Sequence, residues 1–547
     1  MTLRRRPGPT PDHACGLRST APSPRVRPAP VRVVGRLVLL ALTLLVLAVA
    51  APPVPGTPAG AQEAADLVRR LAGADRAATA AAVARDGWET TDAAVVVDGW
   101  DPIAALVGAH LAARIDAPML VSGDVLPVDT ADALAALQVR DLLVVGAAHV
   151  PEDQVQGQIH RLAAATPDAL AADAVRAEPG RADMPVLLVT DAAFADALAA
   201  ANLAPARLLI SAADALSPDA GRAIADLDPA EVVLVGGEAA LAPAVADDVR
   251  ALGPSVRRVA GPDRYATALA GADQAGGGPA VLASGQTFAD AVAVVPWAAR
   301  AGAATVLTTH DELPQAVRDW LAASGRPGAV VAGGTAAVGN FVDRQAAAAL
   351  AGASPPGFTG ATRALTAAER DGMVDVVWRP GCPVDLEALA VVDMAHWDLS
   401  GNVVDDGRLV VHQAVAEQVL GVAGALFEAR FPLHQVIPVE AYGGDDDASM
   451  AANNSSAFNC RRVGGTSTWS QHAYGTAIDL NPGQNPYVRG STGAPPAGDA
   501  YLDRADVRPG MIVRPGPVTD AFAAIGWGWG ADFTTSDDYQ HFSANGR

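Results

Sequence analysis

The sequence predicts a multidomain protein: three repeated, Rossmann-like α/β units followed by a C-terminal domain of different texture. Three observations lead there. An arginine-led segment recurs, "RLAGADRAATAAAVA" from Arg70 and "RVAGPDRYATALAGA" from Arg258, and the 188 residues between their starts leave room for one more copy. Continuous β-branched runs such as "EVVLVGG" alternate with alanine-rich helical stretches, the pattern of parallel strands covered by helices. After Leu350 a Gly/Pro/Ser stretch, "AGASPPGFTGATR", intervenes, and beyond it tryptophans become denser.

The whole chain supports this division. Its 547 residues exceed one ordinary core, half are hydrophobic and 18% are charged, so the protein is globular. All 39 basic residues are arginine, a bias that fits GC-rich coding. Residues 1–36 hold eight arginines and one acid, Leu37 to Ala51 is apolar, and Ala59-Gly60-Ala61 follows. Basic, apolar, then A-x-A is the order of a secretory signal peptide, so 1–61 is expected to be removed, leaving no membrane span. The long basic stretch fits a start codon downstream of Met1. Cleavage after Ala61 moves the formal charge from −21 to −28, which argues against nucleic acid as a partner. Two cysteines then remain, Cys382 and Cys460, and in an exported chain they are expected to form one disulfide.

The repeats are expected over 62–165, 166–256 and 257–350. "LLVTDAAFADALAAA" from Leu187 matches "VLASGQTFADAVAVV" from Val281, and "VVVDGWDPIAALVGA" from Val95 is a weaker version. "LLVVGAAHV" from Leu142, "VVLVGGEAA" from Val232 and "AVVAGGTAA" from Ala329 close the three units. No G-x-G-x-x-G follows a strand, so the "VGG" glycines read as tight αβ packing rather than a phosphate site. Arg258, Gly261, Asp263, Arg264, Thr267 and Ala268, with Phe288-Ala289-Asp290-Ala291 and Gly333-Gly334, resemble the cell-wall-binding repeats found in triplicate on bacterial surface proteins. That resemblance, over about 63–350, implies a pseudo-threefold arrangement that holds the protein to an anionic wall polymer. The second copy lacks the R-x-x-G-x-D-R signature and the first lacks the "FADA" aspartate. Asp75-Arg76 and Asp263-Arg264 fit either of two roles, intramolecular pairs that close each unit or ligand contacts.

A linker at 351–360 precedes the C-terminal domain, 361–547. In "WSQHAYGTAIDLNPG" His472 lies seven residues ahead of Asp479, a pair that in isolation also fits an Asx-type turn. Downstream, "TSDDYQHFS" supplies His541 with Asp537 and Asp538 before it. Two histidines and one carboxylate suffice for a hydrolytic zinc site whose fourth position is left to water, and zinc there brings the pKa of that water toward neutrality. Asp538, three residues ahead of His541, shares a face with it if the segment is helical, and is placed to shuttle a proton to a leaving amine. Arg461, in "SSAFNCRRVGG", is a candidate for stabilising the oxyanion of amide hydrolysis, with Cys460 fixing its backbone.

This constellation resembles the zinc metallopeptidases that cut peptidoglycan stem peptides, the D-alanyl-D-alanine carboxypeptidase and L-alanyl-D-glutamate peptidase family. Their S-x-H-x-x-G-x-A-x-D motif matches Ser470, His472, Gly475, Ala477 and Asp479, and their closing acid-x-x-H matches Asp538 and His541. The resemblance implies an α+β domain with an antiparallel sheet, Zn2+ held by His472, Asp479 and His541, Asp538 as general base, and Arg461 on the substrate carbonyl. The function expected is that of an exported, cell-wall-attached peptidase, D-Ala-D-Ala carboxypeptidase favoured over L-Ala-D-Glu endopeptidase. The alternative is a non-catalytic wall-binding protein whose C-terminal domain zinc stabilises. Elsewhere, Asp445-Asp446-Asp447 reads as an exposed acidic loop, with a calcium or substrate patch as the alternative, His396, His412 and His434 as structural, and Trp527 and Trp529 as cleft walls or core.

Overall fold

The computed structural model describes residues 67–192 and 194–546; the expected signal segment lies outside them. Among the described residues no helix is long and apolar enough to cross a membrane.

Twelve short strands build the N-terminal part: β1 (Val68–Leu71), β2 (Ala93–Asp98), β3 (Met119–Ser122), β4 (Asp141–Val145), β5 (Ile159–Leu162), β6 (Val186–Thr190), β7 (Arg207–Ser211), β8 (Glu231–Val235), β9 (Ser255–Val259), β10 (Ala280–Ser284), β11 (Ala304–Thr308) and β12 (Ala329–Ala332). They form three four-stranded sheets of one order, β3-β2-β4-β5, β7-β6-β8-β9 and β11-β10-β12-β1. All pairs are parallel. The central strands carry apolar residues on both faces because helices cover both, and Val95, Leu187 and Val281 are fully buried.

The strand order shows how the arginine-led segments are used. The arginine-led segment does not open a sheet; it supplies the last strand of the preceding one and then hands the chain on. β5 leads into the helix Pro167–Ala177, which packs on β7, and β9 leads into Arg264–Ala272, which packs on β11. β1 leads into Arg76–Gly87, packed on β3, although β1 itself completes the third sheet beside β12. The place of the missing middle signature is taken by Ile159–Ala177, where Thr166 caps the helix instead of aspartate.

Signature side chains are used inside this frame. Asp75 accepts from Ala77 and Ala78 N–H, and Asp263 from Ala266 N–H, so both are helix N-caps rather than partners of the next arginine. Arg76 and Arg264 donate to the Gly99 and Gly285 carbonyls, each at 2.5 Å. Arg70 reaches Gly333 O and Asp343, and Arg258 reaches Gly236 O and Leu241 O.

In the C-terminal part, β13 (Gly360–Ala364), β14 (Leu389–Trp397) and β15 (Val403–His412) form an antiparallel sheet, against which the helix Ala416–Glu428 packs. A bond between Cys382 and Cys460, with Cα atoms 6.0 Å apart, ties the stretch ahead of β14 to the segment before the metal motif. Residues 351–360 end inside this sheet, with Gly360 opposite Met394. The third repeat also docks on it directly. Phe341, on the helix Asn340–Leu350, meets Trp397 edge-on at 4.9 Å, and the Trp397 indole donates to Phe427 O. Asn340 exchanges two 2.8 Å hydrogen bonds with the Val403 backbone, while Arg344 pairs with Asp405 and Arg430 with Glu312.

Candidate metal centre

Each position of the S-x-H-x-x-G-x-A-x-D segment has a local task. Ser470 caps a single 3-10 turn, Gln471–Tyr474, that carries His472. Gly475 ends that turn at φ +67°, and a Cβ there would meet His412 N at 2.6 Å, so only glycine fits. The chain then enters β18 (Ala477–Asp479), where Ala477 is fully buried. β18 pairs antiparallel with β23 (His541–Ser543), and the register sets Asp479 directly opposite His541.

Three ligand atoms of His472, Asp479 and His541 therefore lie within 4.8 Å of one another, in buried surroundings. His472 Nε2 is 3.1 Å from Asp479 Oδ2, His541 Nδ1 is 2.9 Å from Asp479 Oδ1, and the two imidazole nitrogens are 3.2 Å apart. His472 Nδ1 donates to Ala457 O at 2.6 Å, which fixes the ring and frees Nε2 as a ligand. Burial opposes charge on Asp479, but His472 and the hydrogen bonds from both histidines outweigh it and hold the carboxyl well below the usual range. The donor set fits zinc: two imidazoles and one ionised carboxylate converge at one point, the ligand types and number of a hydrolytic zinc site.

Asp538 closes β22 (Asp537–Asp538), and Tyr539-Gln540 turn the chain into β23. The segment is thus a tight turn between two strands and not helical. Burial, and then the negative charge of Asp479, push the Asp538 pKa up to about 6, and its Oδ1 is buried without a hydrogen-bond partner. Gly530 makes room for this turn, since a Cβ there would lie 2.4 Å from Asp538 O. Trp529 braces it by donating to Tyr539 O at 2.8 Å. Trp527 and Trp529 belong to the hydrophobic core rather than to a cleft wall.

Arg461 is held beside the metal segment through its backbone: Ser470 N donates to Arg461 O, and Asn459 N to His472 O. Its guanidinium pairs with Asp446 at 2.7 Å. The acidic run is thus not a free loop: Asp445 caps the helix Asp446–Ala451, and Asp446 turns to the arginine. The sequence places Asp446 only within the acidic run, without its arginine partner, and does not single out Gln540, whose side chain reaches Met450 S on that helix at 3.6 Å. His396 and His412 lie on β14 and β15 and His434 follows them; none joins the metal cluster.

Residues 464–544 match the family described as D-alanyl-D-alanine carboxypeptidase. That match takes in the stretch holding His472, Asp479, Asp538 and His541. Residues 70–156 and 258–343 match cell wall binding domain 2, so the carboxypeptidase match follows two matches to cell-wall-binding repeats. Among curated proteins, N-acetylmuramoyl-L-alanine amidase LytC of Bacillus subtilis (strain 168) is 34% identical over 160 residues, 28% of this chain and 32% of that protein. The Amidase enhancer of the same organism is 33% identical over 133 residues, 24% of this chain and 19% of that one. The chain thus spans about a third or less of the curated relatives it matches. Cwp6 from Clostridium difficile aligns with a TM-score of 0.47 at 19% identity, covering 53% of this chain and 49% of that one.

Proposed function

We propose that the protein is an exported, cell-wall-attached zinc metallopeptidase that hydrolyses peptide bonds in peptidoglycan stem peptides, with D-Ala-D-Ala carboxypeptidase favoured over L-Ala-D-Glu endopeptidase activity. One observation carries this reading: beside three convergent metal donors lies a buried carboxyl, Asp538, with an unpartnered oxygen. A purely structural zinc site has four protein ligands and no need of such a group. Zinc, when bound by His472, Asp479 and His541, supplies Lewis acidity toward water and the scissile carbonyl.

The remaining work falls to the chain's own side chains. Asp538, whose proton affinity burial has strengthened, takes a proton from the attacking water and returns it to the leaving amine. Arg461 donates to the carbonyl oxygen as negative charge develops there. The Ala457 carbonyl keeps the His472 ring in place. The repeats, whose cyclic hand-over of strands supports a pseudo-threefold arrangement, hold this site at the wall through an anionic polymer. Arg70, Arg76, Arg258 and Arg264 are occupied by internal acceptors, so polymer contact falls mainly to other groups.

The test is incubation of the full chain with muropeptides, with and without a zinc chelator, and mass spectrometry of the products. Chelator-sensitive loss of a terminal D-alanine supports the carboxypeptidase, and cleavage after L-alanine the endopeptidase. Folded, zinc-loaded protein that leaves every stem intact would favour a non-catalytic wall-binding protein with a zinc-stabilised domain.

A further inference from the structure

We propose that Asp446 is a positioning residue for Arg461 and that its helix, Asp446–Ala451, links that arginine to the turn carrying Asp538; this rests on the peptidase reading above. The arginine's main chain is already immobile, because Cys460 is bonded to Cys382 and donates its N–H to Val377 O, and Arg461 O accepts from Ser470. The long side chain is what needs holding. Asp446 Oδ2 takes Nη2 at 2.7 Å, and the second carboxylate oxygen is approached by the Asn459 amide at 3.5 Å. Arg461 Nε is buried and has no acceptor among the described residues, so the pair with Asp446 is what holds the guanidinium. A charge-assisted pair of this kind removes rotamer freedom before substrate arrives, and that cost is then not charged to the transition state.

The same helix also touches the turn that carries Asp538. Asp446 and Met450 are four residues apart and share a face. Met450 S receives the Gln540 amide at 3.6 Å, and Gln540 sits in the turn between Asp538 and His541. The helix is itself pinned, by Asp445 at its N-terminus and by Asn454, whose amide donates to Ser449 Oγ. One face thus meets both the arginine and the turn that carries the general base. An acidic residue there orients a cation where a solvated acidic loop would not.

Asp446→Ala, Asp446→Glu, Arg461→Ala and the double variant are compared in the full chain by kcat and KM on muropeptides, zinc content and melting temperature. Asp446→Ala is expected to lower kcat roughly tenfold, a part of the ~100-fold or more lost with an oxyanion donor, with KM and zinc content little changed. Asp446→Glu restores most of the rate, and the double variant is no slower than Arg461→Ala alone. A second readout needs no turnover: in metal-free protein, phenylglyoxal labelling of Arg461, followed by peptide mass spectrometry, is several-fold faster in Asp446→Ala. Multiplicative rate losses, or unchanged kcat and unchanged labelling in Asp446→Ala, overturn the proposal. An Arg461→Ala protein as fast as wild type removes the arginine's role and this proposal with it. Wild-type protein that cleaves nothing removes the peptidase reading, while the labelling arm still decides whether Asp446 holds the arginine.

Discussion

Phe341→Ala tests whether the third repeat and the C-terminal domain behave as one body. Phe341 is 7% exposed, and its apolar neighbours Ala395, Trp397, Val403 and Phe427 all belong to the C-terminal domain, so truncation removes packing between the two parts. Emptying a buried phenylalanine site costs about 3–5 kcal/mol, which includes the edge-on contact with Trp397. The Asn340 hydrogen bonds and the two exposed ion pairs stay, but each contributes only about 1 kcal/mol or less. At roughly 2–4 °C per kcal/mol for a domain of this size, the C-terminal transition should fall by about 6–20 °C in calorimetry. Limited proteolysis should then cut within 351–359, which wild-type protein resists. Val342→Ala is the control: Val342 is fully buried within the third repeat and should destabilise that repeat without opening the segment. An unchanged melting profile and unchanged protease resistance in Phe341→Ala would refute the coupling.

Other expectations concern the C-terminal domain. Replacing Cys382 and Cys460 by serine frees a loop spanning 78 residues, and chain entropy alone predicts a loss of about 4.5 kcal/mol, read from urea midpoints of oxidised wild type and variant. His472→Ala should abolish stoichiometric zinc uptake in metal analysis while His412→Ala does not, since His412 lies outside the donor cluster. Asp538 has its folded pKa raised from 3.8 to about 6, so its ionisation opposes folding of the metal-free protein increasingly as pH rises between those values. Asp538→Asn should therefore raise the melting temperature of chelator-treated protein at pH 7, have little effect below pH 4, and remove peptidase activity. An equal shift at both pH values would contradict this.

The metal motif was readable because its positions answer to local demands: a cap at Ser470, a left-handed turn at Gly475, a buried alanine on β18 and a cross-strand pair in Asp479 and His541. Asp538 illustrates the limit of spacing. Three residues ahead of His541 suits a helix and a tight turn alike, and only the pairing of β22 with Tyr487 and Val488 decides for the turn. Asp446 was hidden for another reason. A run of three acids has the composition of a solvated face, and its partner is fifteen residues away in a segment that a disulfide and main-chain pairing bring alongside. The repeats were legible through periodicity, but a strand's own residues do not name its neighbour. "VRRL", with two arginines in four residues, gives no sign that it completes a sheet otherwise built of much later residues. The docking of the two parts depends on isolated aromatics, Phe341 and Trp397, that carry no pattern at all.

The pairing of β1 with β12 also imposes an order of assembly. The first and second sheets can close from contiguous stretches of chain, 93–162 and 186–259, as soon as these are available. The third cannot, because Val68 waits for Ala329, 261 residues downstream. During synthesis the opening strand therefore stays an exposed edge until nearly all three repeats have emerged, and the entropy of closing so long a loop is met last. A chain that stops before residue 329 would carry two finished sheets and one sticky strand, a candidate for pairing with its neighbours rather than with itself.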